Sequence, residues 1–267
     1  MLDETTITRY LKRIGADRPE NLDIEALSHL QERHVLSVPF ENLDYHLGVP
    51  IPLDESIVGK IVDDRRGGGC YETNPALGFL LRSLGFEVTI ISGRVHFPDR
   101  MGPPLGHLAL RVDLDRPWLV DVGLGRNSRR PLRMDTTEPQ QDPHGEYRLV
   151  PAPDGGTDVL LNGKPECRLY ERPCELDDFR PTLWWFRTAP ESPFLRDLVC
   201  SMPTEQGRVT LKGNRLTRVV HGERHTEELP DEDTTRRAYR EWFGIELDTV
   251  PRAPEQSADR NLGGALS

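Results

Sequence analysis

The sequence predicts an α+β protein in which helices come first, strands follow, and the two mix towards the C-terminus. Three observations predict it. Apolar residues recur at helical spacing as far as Gly85. From Val88 the pattern changes to alternation and β-branched runs. Both patterns then return after Leu176. With 36% hydrophobic residues and 23 glycines in 267, the chain sits at the lower edge of globular usage and can still bury a core.

The first helix carries Ile7, Tyr10, Leu11 and Ile14 and stops at Gly15. A second fits Asp23 to about His34, with Ile24, Leu27 and Leu30 on one face, and His29 and His34 are expected to be exposed on it. Pro39 breaks this pattern. The third helix follows Arg65-Arg66-Gly67-Gly68-Gly69-Cys70 and has Leu77, Leu80, Leu81 and Leu84 as its apolar face. Gly85 ends it, and Pro75 lies near its start, where a missing N–H costs least. Cys70 is therefore expected at or just before a helix N-terminus.

Val88 to Val95 is extended, and His107 to Leu114 alternates with Leu108, Leu110, Val112 and Leu114 on one face. Trp118 to Val122 follows across a turn at Asp115-Arg116-Pro117. Shorter pieces at Tyr147–Val150, Asp158–Leu161 and Arg168–Tyr170 complete a small β sandwich or barrel. Leu176 to Phe194 mixes helix and loop. Arg208–Leu211, Thr217–Val220 and His225–Leu229 suggest a meander, and a closing helix fits Asp233 to Phe243. The polar tail from Pro251 to Ser267 is expected to be disordered.

Lys and Arg number 34 against 44 Asp and Glu, a net charge of −10, which disfavours nucleic-acid binding. No apolar run reaches the roughly 20 residues of a membrane span, and Met1-Leu2-Asp3-Glu4 has no apolar signal stretch, so a soluble cytoplasmic protein is expected. Cys70, Cys167, Cys174 and Cys200 are too scattered for a disulfide framework and are expected to be reduced.

Cys167, Cys174 and Cys200 read as small buried hydrophobes. Cys70 differs. Three glycines precede it, a helix opens at it, and Arg65 and Arg66 stand nearby, all of which suit a thiolate approached closely by substrate. The competing reading is a simple glycine turn. A nucleophilic cysteine needs a base and a group to orient that base. His107 begins one strand, Asp121 sits among Leu119, Val120 and Val122 in the next, and antiparallel pairing brings the two within a few residues of each other. The alternatives are a satisfied core histidine and a turn-capping aspartate. Gly123-Leu124-Gly125-Arg126 lacks the third glycine of a dinucleotide fingerprint, and there is no Walker-type lysine. His221 and His225 lack a third ligand, so no metal is expected.

Arg66-Gly67-Gly68-Gly69-Cys70-Tyr71-Glu72-Thr73-Asn74 resembles the RGGxCxExN signature of the arylamine N-acetyltransferase family. Val38-Pro39-Phe40-Glu41-Asn42-Leu43 resembles its VPFENL block, and His107-Leu108-Ala109-Leu110 with Leu119-Val120-Asp121-Val122-Gly123 its histidine and aspartate strands. Trp184-Trp185-Phe186 through Ser192-Pro193-Phe194 is similar to a weaker later motif, and the similarity runs from about residue 5 to 250. The resemblance implies a helical bundle over residues 1–85 with the nucleophile, a β-barrel over 86–190 with His and Asp, and an α/β lid over 191–250. It implies a Cys70-His107-Asp121 triad that moves acetyl from acetyl-coenzyme A to an arylamine or hydrazine by a ping-pong route, with no permanently bound cofactor. Candidate substrate contacts are Phe40, Tyr71, Gly106, Leu124 and Arg126. Where the family commonly has an aromatic and a glycine, Leu124 and Arg126 stand here, and Arg126 suits an acceptor or acyl group bearing a carboxylate, unless it is a solvated surface arginine. Two rivals are a related amide synthase, which closes a macrolactam on a polyketide delivered by a carrier protein, and an inactive binding protein on the same fold.

Overall fold

Helix α1 (Glu4–Ile14) begins where the Asp3 side chain accepts the Thr6 amide and ends at Gly15, whose positive φ of 67° closes the C-terminus. Asp23 caps α2 (Ile24–Ser37) in the same way through the Ala26 amide. One expectation fails here. His29 is exposed, but His34 is fully buried. Residues 27, 30, 31 and 34 follow the i, i+3, i+4, i+7 pattern, so His34 completes the stripe that Leu27 begins, and its Nε2 meets the Tyr10 hydroxyl at 3.1 Å. The computed structural model describes residues 1–252, and the tail expected to be disordered lies outside the described residues from Ala253 onward.

Three short elements follow: β1 (Phe40–Glu41), α3 (Leu43–Leu47) and α4 (Ile57–Val62). None was visible as a period, because each spans fewer than two helical turns or only one residue pair. Helix α5 (Cys70–Leu84) then buries Leu77, Leu80 and Leu81 and stops at Gly85.

The chain next builds an eight-stranded antiparallel sheet from β2 (Glu87–Val95), β3 (His107–Asp113), β4 (Pro117–Val120), β5 (Leu132–Arg133), β6 (Gln140–Asp142), β7 (Gly145–Pro151), β8 (Thr157–Leu161) and β9 (Lys164–Pro173). Its spatial order is β5-β4-β3-β2-β9-β8-β7-β6. The two edge strands meet through one side chain. The Gln140 carboxamide accepts the Arg133 amide at 2.7 Å and donates to the Arg133 carbonyl at 3.0 Å, giving a near-closed barrel. Strand β3 is buried on both faces. Leu108, Leu110 and Val112 pack against α5, while Ala109 joins Ile91, Leu119, Leu149 and Leu169 in the barrel interior.

After a 3₁₀ turn at Leu176–Phe179 come α6 (Arg180–Thr188), α7 (Pro193–Arg196), β10 (Val199–Thr204), β11 (Gly207–Lys212), β12 (Arg215–Val220), β13 (Glu223–Glu228) and α8 (Glu232–Phe243). Strand β10 has no sequence signal of its own, because Pro203 reads as a strand breaker. It is tolerated because β1 pairs only with Cys200 and Ser201, leaving the Pro203 edge without a partner strand on that side. The five-stranded sheet runs β1-β10-β11-β12-β13, so a strand from the helical region edges the C-terminal sheet. Tyr239 and Phe243 of α8 pack beneath it with Val209, Leu211 and Leu216. Among the described residues no helix is long and apolar enough to cross a membrane.

Candidate active site

The turn before α5 is built by close backbone approach. A Cβ on Gly67 would lie 1.8 Å from the Pro39 carbonyl oxygen, and one on Gly68 would lie 2.6 Å from the Glu72 side chain. Only glycine fits at either position. The Gly68 amide donates to the Pro39 carbonyl and the Glu41 amide to the Gly68 carbonyl, each at 3.2 Å, so the Pro39–Glu41 segment is stitched to the glycine turn. Glu72 then accepts the Gly69 amide at 2.9 Å. Cys70 is thereby fixed as the first residue of a 15-residue helix, in the positive field of its N-terminus.

His107 opens β3, and Asp121 follows the last residue of β4. The register pairs Leu110 with Val120, which draws both side chains to the end of the hairpin that meets α5. His107 Nε2 lies 2.6 Å from Asp121 Oδ2. The other carboxylate oxygen accepts the Asn74 side chain at 2.9 Å and the Gly123 amide at 3.0 Å. Asn74 also donates to the Leu108 carbonyl at 2.6 Å and accepts the Val122 amide at 2.8 Å, clamping the two strands together. Gly123 packs directly on the nucleophile segment, since a Cβ there would lie 2.5 Å from the Cys70 Cα.

His107 is fully buried, which by itself disfavours its charge. The Asp121 carboxylate and its hydrogen bond, joined by the Cys70 thiol, outweigh that burial and raise the imidazole to about 10. Burial likewise works against the Asp121 charge, but His107, Asn74 and Gly123 hold its carboxyl below the ordinary value. His107 Nδ1 has no well-aligned hydrogen-bond partner. A donor set of metal-ligating type exists here, because donor atoms of His107, Asp121 and Cys167 lie within 4.8 Å of one another. The Asp121 oxygens are already taken up by His107, Asn74 and Gly123, and burial pushes the Cys167 thiol up, so hydrogen bonding accounts for the group. His221 and His225 are both exposed.

Cys70 and His107 border a cavity of about 250 Å³ whose walls include Phe40, Gly106, Leu124 and Phe194. Tyr71 does not line it. That side chain is buried, donates to the Leu105 carbonyl and packs against Phe179 and Phe186. Arg126 also lies outside this cavity, in an adjoining groove of about 630 Å³ that shares Phe40, Leu124 and Val199 with it. The groove carries Arg126, Arg208, Lys212, Arg215 and Arg224 and no carboxylate. Strand alternation explains the concentration of charge. Lys212 pairs with Arg215 and Val219 with both Arg208 and Arg224, so these cations share one face while Val209, Leu211 and Leu216 point to the core. Arg208 donates to the Gly125 carbonyl and to Ser201, and burial with Arg126 beside it lowers the guanidinium to about 10. Asn74 and Arg208 were not singled out by the sequence reasoning. Asn74 had a usable signal: it lies four residues after Cys70, on the same face of α5.

The profile of the N-acetyltransferase family matches residues 23–251. Arylamine N-acetyltransferase of Mycolicibacterium smegmatis is 36% identical over 232 residues, covering 82% of this chain and 84% of that protein. The Escherichia coli arylamine N-acetyltransferase is 32% identical over 253 residues, covering 91% and 89%. Among solved structures, arylamine N-acetyltransferase from Salmonella typhimurium superposes with a TM-score of 0.85 at 29% identity, covering 95% of each chain. The Mycobacterium marinum enzyme in complex with CoA superposes with a TM-score of 0.82 at 31% identity, covering 90% and 92%. A profile match over most of the chain, together with relatives of this identity and coverage, makes the chain a member of the arylamine N-acetyltransferase family and therefore an acyltransferase.

Proposed function

We propose that this chain transfers the acetyl group of acetyl-coenzyme A to the nitrogen of an arylamine or hydrazine, with Cys70 as nucleophile, His107 as base and Asp121 as its orienting group. The observation that carries the reading is the 2.6 Å His107–Asp121 contact beside a cysteine at a helix N-terminus. The Cys70 thiolate attacks the thioester carbonyl carbon, the new C–S bond forms, and the bond to coenzyme A sulfur breaks. The leaving thiolate takes the proton held by His107. The amine nitrogen then attacks the acyl-cysteine, His107 accepts a proton from that nitrogen, and the amide leaves as Cys70 regains its thiolate. Backbone amides near Cys70, at the start of α5, are the donors assigned to the oxyanion. The cationic groove beside the cavity suits the phosphates of coenzyme A.

Arg126, adjoining the Leu124 wall, favours an acceptor bearing a carboxylate. Arg126→Ala is expected to lower the rate for aminobenzoates a few-fold relative to neutral anilines, and unchanged relative rates would remove that role. A cavity of about 250 Å³ suits an aryl ring better than the polyketide chain of an amide synthase. The reading also takes the chain as three units over residues 1–85, 86–190 and 191–250, in a cytoplasmic setting compatible with its four free cysteines. The test is intact-mass analysis after mixing the protein with acetyl-coenzyme A and no amine. A single acetyl adduct mapped to Cys70, absent from Cys70→Ser, is the expected result. An adduct elsewhere, or none, would overturn the assignment.

A further inference from the structure

Beneath the turn that presents Cys70 lies a buried charge cluster that the acyl-transfer steps do not use. Lys60 of α4 places Nζ 2.5 Å from Glu72 Oε1, 2.7 Å from Asp44 Oδ2 and 3.7 Å from Glu41 Oε1. Arg66 lies 2.8 Å from Glu41 and 2.9 Å from Asp44. The Lys60 side chain is 11% exposed and those of Glu41 and Glu72 are 0% and 1% exposed, so the whole group is shielded from water. Three carboxylates against two cations leave one net negative charge in a low-dielectric region.

The geometry links this cluster to the nucleophile. Glu72 is two residues after Cys70. One of its oxygens is held by Lys60, and the other holds the Gly69 amide at 2.9 Å, immediately before Cys70. The titratable groups coupled electrostatically to the thiol are His107 of β3 with Asp121 behind it, Tyr45 of α3, Tyr71 of α5 and Cys167 of β9. The Lys60 cluster connects to this position through Glu72, two residues from Cys70 and bonded to the amide just before it.

We propose that Lys60 is a positioning residue for acyl transfer: it fixes Glu72, and with it the turn that presents Cys70, and its charge offsets carboxylates that would otherwise oppose the thiolate. The proposal rests on Cys70 being the nucleophile. It makes a prediction of sign that a purely structural role does not. Lys60→Met makes the net charge of the cluster more negative, from −1 to −2, and disfavours the thiolate. Glu72→Gln brings it to zero, keeps an oxygen for the Gly69 amide, and favours the thiolate.

The experiment measures the pH dependence of Cys70 alkylation by iodoacetamide in the intact protein, mapped by mass spectrometry, with near-ultraviolet circular dichroism as the check on folding. Lys60→Met is expected to move the alkylation midpoint up by about one pH unit, which is about tenfold slower alkylation at pH values below the wild-type midpoint. Glu72→Gln is expected to move it down, and the double variant to return near wild type. An unshifted Lys60→Met profile, shifts of the same sign in both single variants, or a double variant as displaced as Lys60→Met would each overturn the proposal. If Lys60→Met does not fold, Glu72→Gln alone decides, and any result other than a downward shift overturns it. Failure of the nucleophile assignment would be seen separately, as an unmodified Cys70 after wild-type protein is mixed with acetyl-coenzyme A.

Discussion

Two histidines of this protein are completely buried, and they behave in opposite ways. His34, in the helical layer, has the Tyr10 hydroxyl at 3.1 Å and Arg13 nearby. Burial and that positive charge depress it to about 3. His107, at the rim of the barrel, is equally buried, yet Asp121 at 2.6 Å lifts it to about 10. Burial is common to both, so it is the neighbouring carboxylate that makes an imidazole able to hold a proton here. A histidine in the core is a packing residue until a charged partner is found beside it.

The comparison breaks most sharply at Asp121. Asp121→Asn should leave the fold intact while lowering kcat/KM by about 10³–10⁴-fold, because the amide permits the wrong imidazole tautomer and no longer stabilises the cation. Titration of His107 by NMR should then fall towards that of His34, and an unmoved titration would contradict the role given to the carboxylate. The next effect is on stability. The His34 pKa is lower in the folded chain than in the unfolded one, so its contribution is present above about pH 6.5 and fades as the pH drops towards 3. Wild type should lose about 3 kcal/mol from this residue by pH 4, and His34→Gln should flatten that acid limb in denaturant melts. His107 has the reverse sign. Its contribution is complete below about pH 6.5 and disappears as the pH rises through about 10. Asn74→Ala gives the smallest change, about 2 kcal/mol of stability from unpaired buried groups, with a partial loss of activity as Asp121 loosens. Equal kcat/KM in that variant would show that Asp121 keeps its orientation without Asn74.

What could be read from the residues follows from how local each signal is. Helices α1, α5 and α8 announce themselves by caps, apolar stripes and terminal glycines, and the β3–β4 hairpin by alternation around a three-residue turn. That hairpin is also why His107 and Asp121 could be paired in advance. The elements that stayed hidden depend on distant partners. Strand β1 is two residues long and exists because Gly68 and β10 pair with it, and β10 contains a proline that only its edge position permits. The cationic groove was invisible for the same reason, since its lysine and three of its four arginines come from three strands whose register is set in three dimensions, with Arg126 added from the loop after β4. His34 was misplaced although its spacing from Leu27 was there to be counted.

The pairing of Phe40 with both Gly68 and Ser201 sets an order on how the enzyme comes into being. As the chain leaves the ribosome, the glycine turn and its cysteine emerge long before the strand that anchors the segment beside them, and the histidine and aspartate arrive between the two. Sulfur, ring and carboxylate are thus all present before the strand that completes the support of the segment beside them. Products that end before residue 200 lack the strand that pairs with Phe40 and Glu41, so hydrogen exchange should find that segment less protected in them than in the full chain.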